Sequence, residues 1–171
     1  MERGASARRP RQLGALHALC GHLSVHDEPE IATVVLPTGT GETETMLAAL
    51  AYRRTKRLLI PVSSDARRQQ SAQKIAAFGL LRYSRLPTKL HPSTIRTNCW
   101  AGGLADEAQK ILSKEKVVVT LPDSIAANAP GAAEALIDGC DELFIDQAHR
   151  VGATRWQKIR DCFDKGQSFL I

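Results

Sequence analysis

Short, β-branched apolar runs alternate along this chain with longer amphipathic stretches, and that alternation constrains the fold more than any other feature. "IATVVL" (residues 31–36), "RLLIPV" (57–62), "VVVTL" (117–121), "ELFID" (142–146) and "SFLI" (168–171) read as strands. Helical patterns lie between them, at 43–54, 64–79, 104–114 and 153–164. A further helical stretch, 123–138, is broken at Pro130 and Gly131. Ser64 and Asp65 make a cap at one end of the 64–79 helix and Gly79 closes the other. Residues 80–99 hold Pro87 and Pro92 and read as irregular, with room for a short strand. Strands separated by helices of about ten residues or more imply a mainly parallel sheet covered on both faces, a three-layer α/β/α fold.

At 171 residues the chain fits a single domain, and 43% apolar residues suffice for a core. No apolar run approaches the roughly 20 residues that cross a bilayer. The N-terminal segment is basic, but its apolar residues are spaced at helical intervals rather than massed, so no secretory signal is read there. Cys20, Cys99, Cys140 and Cys162 contain no C-x-x-C pair, which favours reduced thiols and a cytoplasmic location. His17, Cys20, His22 and His26 crowd one segment, either as ordinary helix residues or as ligands on one helical face. The net charge of +5 comes with clusters at Arg8, Arg9 and Arg11, at Arg53, Arg54, Lys56 and Arg57, and at Arg67 and Arg68. Such clusters suit a polyanion or a solvated basic face. Aromatic residues make up only 5% of the chain, too few for a base-stacking platform.

"VVLPTGTGETET" runs from strand through a Gly-rich turn into a helix, the context a phosphate-binding loop requires. Gly39 and Gly41 permit a tight turn with N–H groups aimed at an anion, and the helix start adds its positive end. Pro37, Thr38, Gly39, Thr40, Gly41, Glu42, Thr43 and Glu44 form the candidate nucleotide site, with Thr43 at the hydroxyl position that ligates magnesium. Glu42 stands where the pattern calls for lysine. At about 4 Å and an effective dielectric near 20, two like charges repel by about 4 kcal/mol, so triphosphate binding should be badly weakened. A turn that merely starts a helix is the alternative reading of these residues.

A second motif, "LFIDQAH", is an apolar strand ending in an acid about a hundred residues later. Asp146 sits where phosphate-loop proteins place a magnesium-organising carboxylate. Gln147 follows, an amide that can orient water but cannot take its proton. Loss of a general base typically costs about a hundredfold to ten-thousandfold in rate.

With both motifs in order, the chain resembles the N-terminal RecA-like lobe of a superfamily 2 DEAD/DEAH-box helicase, a P-loop NTPase fold, over almost its whole length. "RRPRQLGALHAL" resembles the adenine-recognising motif, with Gln12 as the base-reading amide and Arg9 as its companion. "LPTGTGETET" resembles motif I, "PVSSDARRQQ" motif Ia, "VVTLPDSI" motif Ib and "LFIDQAHRVGATRW" motif II. The resemblance implies ATP held by residues 38–43, Mg2+ held by Thr43 and Asp146, and His149 relaying between nucleotide and nucleic acid. Asp146, Gln147 and His149 would be the catalytic set. Ser64, Arg67 and Thr120 would lie near a bound strand, DNA rather than RNA. It also implies a "SFLI" strand lying between the phosphate-loop strand and the Asp146 strand.

Departures from the family pattern are specific. Glu42 replaces the motif I lysine and Gln147 the motif II glutamate, so ATP and Mg2+ should bind weakly and hydrolysis should be impaired. Pro61 sits earlier than the proline expected before Ser-Asp. On this reading residues 1–171 are one lobe, stopping before motif III, with a second RecA-like lobe expected in cis or in trans. A non-catalytic nucleic-acid- or protein-binding module is the competing reading. A phosphate-loop protein of another branch, such as a nucleotide kinase, would lack Asp146–His149 and the Arg9–Gln12 pattern.

Overall fold

The computed structural model describes residues 10–25, 31–37, 40–53, 55–77, 97–100, 105–126, 131–145, 156, 157, 159, 163 and 167–170. Within them run α1 (Pro10–Val25), β1 (Ile31–Thr33), α2 (Glu42–Arg53), β2 (Leu58–Pro61), α3 (Asp65–Ala76), β3 (Thr97–Trp100), α4 (Ala105–Lys114), β4 (Val117–Thr120), α5 (Pro122–Ala126), α6 (Ala132–Asp138), β5 (Glu142–Ile145) and β6 (Gln167–Leu170). The six strands form one sheet in the order β1-β6-β5-β2-β4-β3, with every pair parallel.

The central strands β2, β4 and β5 are buried on both faces, and neighbouring residues along each of them serve different cores. Leu58, Ile60, Val117, Val119 and Phe144 face one cluster, together with Leu16 and Leu19 of α1, Met46 to Leu50 of α2 and Ile75 of α3. Leu59, Val118, Leu143 and Ile145 face the other, with Ala108 and Leu112 of α4, Ile125 of α5, Leu136 and Ile137 of α6, and Trp156, Ile159 and Phe163. The period of two along these three strands therefore sorts side chains between two helical layers rather than between core and water. This is the three-layer α/β/α arrangement with a parallel sheet expected from the alternation.

Local chemistry explains the element ends. Pro10 opens α1, where its missing N–H costs nothing. Ser64 has extended backbone and its hydroxyl accepts from the Arg67 N–H, capping α3. The 123–138 stretch splits into α5 and α6 as its Pro-Gly break implies. Of the 153–164 stretch, Trp156, Gln157, Ile159 and Phe163 are described, and the first three are helical. Two expectations are adjusted. Strand β1 covers only Ile31–Thr33 of the expected 31–36, its three residues pairing with Ser168–Leu170 of β6. Residues 97–100, only allowed for as a short strand, form β3 at the sheet edge.

Pro61 closes β2 for a readable reason. The Leu58 and Val62 N–H groups both donate toward β4, to the Lys116 and Thr120 carbonyls at 2.9 Å each. Alternation then turns the Pro61 nitrogen toward β5, where it has no proton to donate. Pairing of β2 with β5 accordingly stops at Leu58 and Leu59.

The opposite end of the sheet is stitched by Arg57. Its Nε donates to the Leu112 carbonyl at 2.8 Å, and its backbone N–H donates to Asp141 Oδ2 at 2.8 Å. Nearby, the Thr55 hydroxyl donates to the buried carboxylate of Glu142 at 2.5 Å. Burial, with Asp141 beside it, pushes the Cys140 thiol up to about 12, so it stays neutral and acts as apolar filling.

Phe144 is fully buried at the centre of the first core. Phe144→Ala should destabilise the chain by about 3–5 kcal/mol, whereas Val25→Ala, on an exposed helix end, should change stability by less than about 0.5 kcal/mol. Urea unfolding of both variants checks the contrast.

Candidate functional site

Parallel pairing puts the C-terminal ends of all strands on one side of the sheet, and the register sets how level they are. Thr33 of β1 pairs with Leu170 of β6, and Ile145 of β5 pairs with the same Leu170. The strand tip that leads into the Gly-rich turn and the tip that precedes Asp146 are therefore level, separated by one strand, or about 10 Å. Strand β6 lies between them, as expected. Arg9, Thr38, Gly39, Asp146, Gln147, His149 and His26 lie outside the described residues.

The described part of the turn is bonded to itself. The Thr40 N–H donates to the Pro37 carbonyl at 3.1 Å, and the Thr40 hydroxyl donates to the same oxygen at 2.5 Å. Gly41 follows with φ of 103°, a conformation open to glycine and strained for other residues. Its carbonyl begins the bonding of α2, accepting from both the N–H and the hydroxyl of Thr45. Thr45 is buried, and sequence reasoning had not singled it out. Its position four residues beyond the glycine was the available signal.

Gln12 reaches this turn from α1. It is buried, in step with Leu16 and Leu19 on the face that α1 turns to the core. A Cβ built on Gly41 would lie 1.7 Å from Gln12 Nε2 and 3.3 Å from Glu44 Oε2. The amide thus packs on the bare Cα of the glycine, and the Glu44 carboxylate curls back toward the same point. Gln12, Pro37, Thr40, Gly41, Glu42, Thr43 and Glu44 are brought together around one helix start.

The start of α2 carries negative side chains. Glu42 and Glu44 both occupy the first turn of α2. There they favour the helix by about 0.3–1 kcal/mol each, against the macrodipole. A phosphate at this helix start would meet them as like charges.

The expected nucleic-acid residues gather at the tips of β2 and β4. Ser64 caps α3, whose first turn also carries Arg67 and an ion pair between Arg68 and Asp65. Thr120 is different: it is completely buried, and its hydroxyl donates to the Leu121 carbonyl at 3.3 Å. The strand packs on both faces, so a residue at its tip need not reach the surface. Among the described residues no three or more His, Cys, Asp or Glu side chains could hold a metal ion. On α1, Cys20 and His22 point about 200° apart.

A family model described as "Type III restriction enzyme, res subunit" matches residues 6–171. The chain belongs to that family. It is the N-terminal lobe of a superfamily 2 helicase fold. Three solved structures share the fold. The UvsW helicase from bacteriophage T4 is 15% identical, with a TM-score of 0.62 over 99% of this chain and 54% of that one. The Hef helicase domain of Pyrococcus furiosus is 19% identical, with a TM-score of 0.60 over 96% of this chain and 33% of that one. The DUF1998 helicase MrfA bound to DNA is 17% identical, with a TM-score of 0.57 over 99% of this chain and 24% of that one. The chain thus spans about half or less of the helicases it matches. No curated protein sequence matches it. Among the described residues no helix is long and apolar enough to cross a membrane.

In this helicase lobe Gly41→Ala meets two obstacles, a positive φ and the Gln12 amide. It should cost about 2 kcal/mol or more. Gly14→Ala, where nothing lies within 4 Å of an added Cβ, should stabilise α1 by about 0.5–1 kcal/mol. Thermal unfolding of the two variants should move in opposite directions.

Proposed function

We propose that the chain is the ATP-side lobe of a DNA helicase or translocase in which nucleotide binding is weak and hydrolysis is impaired. The observation that carries this reading is the level register of the two strand tips, Thr33 of β1 and Ile145 of β5, which both pair with Leu170 one strand apart. The Gln12 amide lying on that turn supports it, because the base-reading residue of such lobes should stand beside the phosphate loop.

In the proposed scheme, residues 37–45 cradle the phosphates and Thr43 and Asp146 hold Mg2+. A bound magnesium would neutralise charge on the transferring phosphoryl group. Glu42 opposes that arrangement, and Gln147 supplies no base, so no hydrolytic step is assigned to this chain. A second RecA-like lobe, in cis or in trans, would supply the arginine that completes such sites. DNA is the proposed nucleic acid, with α3 and its Arg67 and Arg68 on the contacting side. The reading puts this activity in the cytoplasm.

One observation favours a second reading. The first turn of α2 already carries two carboxylates, one of them folded back over Gly41. A module that kept the fold and basic surface but gave up nucleotide would look the same, and would bind DNA or a protein partner without ATP.

The charge argument fixes the test. Glu42→Lys removes a repulsion of about 4 kcal/mol and adds an attraction, so Mg-ATP affinity should rise by about a thousandfold or more. Isothermal titration of the two chains measures it, and adding Gln147→Glu reports on hydrolysis. An affinity left within threefold of the original chain's would favour the non-catalytic module.

A further inference from the structure

The basic cluster around residues 53–57 plays no part in the site at the strand tips. Its described members with charge, Lys56 and Arg57, lie just before β2 at the N-terminal edge of the sheet, about 17 Å from Val62 at the other edge. Leu58 pairs with Val117, so Lys116 stands beside Arg57 on the neighbouring strand, about 4.8 Å away. Helix α4 ends at the same edge, with Lys110 and Lys114 exposed one turn apart. Basic residues have an ordinary task here, because helix C-termini gather at this edge and present unpaired carbonyls. Arg57 performs it: its guanidinium donates to the Leu112 carbonyl of α4 at 2.8 Å and to the Gly139 carbonyl after α6 at 3.4 Å. The lysines do not. Among the described residues, the ammonium groups of Lys56, Lys110, Lys114 and Lys116 make no hydrogen bond or ion pair. Partial burial of Lys116 lowers its pKa through desolvation. The nearby acids do not serve these lysines: Asp141 accepts from the Arg57 N–H and Glu142 from the Thr55 hydroxyl, and Glu115 and Asp138 interrupt the row without pairing with a lysine.

We infer that the N-terminal edge of the sheet, at Lys56, Arg57, Lys110, Lys114 and Lys116, is a contact surface for the phosphate backbone of a nucleic-acid duplex. Lysines a strand spacing or a helical turn apart, and without internal partners, offer point charges to phosphates and release the counterions that a duplex carries. All five residues are cations, with no aromatic ring among them to stack an unpaired base. The surface therefore suits a paired backbone and reads no sequence. It lies at the opposite edge from Ser64 and Arg67, so it is a second contact rather than an extension of the first. The inference does not rest on ATP binding and holds equally for a non-catalytic module.

Lysine acetylation of the intact chain, with and without a short mixed-sequence DNA duplex, tests the contact. Saturating duplex should slow acetylation of Lys56, Lys110 and Lys114 at least about fivefold, because a phosphate contact covers the amine. A chain carrying Lys56→Gln, Lys110→Gln and Lys114→Gln together keeps both cores, since all three side chains are exposed. It should bind the duplex at least about tenfold more weakly at low salt, and its log affinity should fall with log salt on a slope shallower by about 2. Unchanged acetylation with duplex bound, no binding of the duplex, or a variant matching the original chain in affinity and salt slope would overturn the inference. So would equal protection of the three lysines by polyglutamate, which would mark a surface for any acidic chain, protein included. No nucleotide enters either measurement, so their outcome is independent of the Glu42→Lys titration.

Discussion

Parallel pairing of the strands is the constraint on which the rest depends. A parallel sheet must send every connection across a face, and so it is covered by helices on both sides. Strands β2, β4 and β5 then divide their side chains between two apolar clusters, and the sheet becomes the middle layer of the molecule. The same geometry sends all C-terminal strand ends to one edge. Loops leaving that edge can cooperate even when far apart in sequence, and the ends of β1 at Thr33 and β5 at Ile145 lie level there.

At that edge, the requirements of the helix and of a ligand conflict. Acids in the first turn of α2 help the helix by a fraction of a kcal/mol each at its positive end. A phosphate arriving at the same N–H groups would meet them at a cost several times larger. The balance lies with the helix, and the observed turn is consistent with that: Thr40 donates inward to Pro37, and Gln12 and Glu44 crowd the glycine. The fold of a helicase lobe persists because its stability comes from the two cores, neither of which involves Glu42.

Much of this architecture was legible in the chain, for identifiable reasons. Apolar runs bounded by turn residues marked β2, β4, β5 and β6 to within two residues, since a doubly buried strand leaves a near-continuous apolar signature. The Pro-Gly pair marked the break between α5 and α6. Strand β3, "TNCW", gave little signal because its residues are mixed and follow a Pro-rich stretch. Thr120 was expected near a bound strand; its burial follows from the register with β2, a long-range property. The Thr55–Glu142 bond, spanning 87 positions, was equally out of reach. At the site, the Gly41 turn and the helix start at Glu42 were readable from local pattern. The packing of Gln12 on Gly41 was not, although a glutamine in step with Leu16 and Leu19 was a hint that it is buried. The motif II acid and its neighbours, Asp146, Gln147 and His149, lie outside the described residues.

The most direct test of the shared space is a cross-link across it. Val35→Cys and Asp146→Cys are introduced into a chain whose four native cysteines are replaced, and a bismaleimide with a reach of about 10 Å is added. Val35 is 87% exposed, so its substitute is open to reagent. The account predicts an efficient intramolecular link for this pair and none for Val35→Cys with Asp138→Cys, at the other end of the sheet. Linking of the second pair but not the first would contradict it.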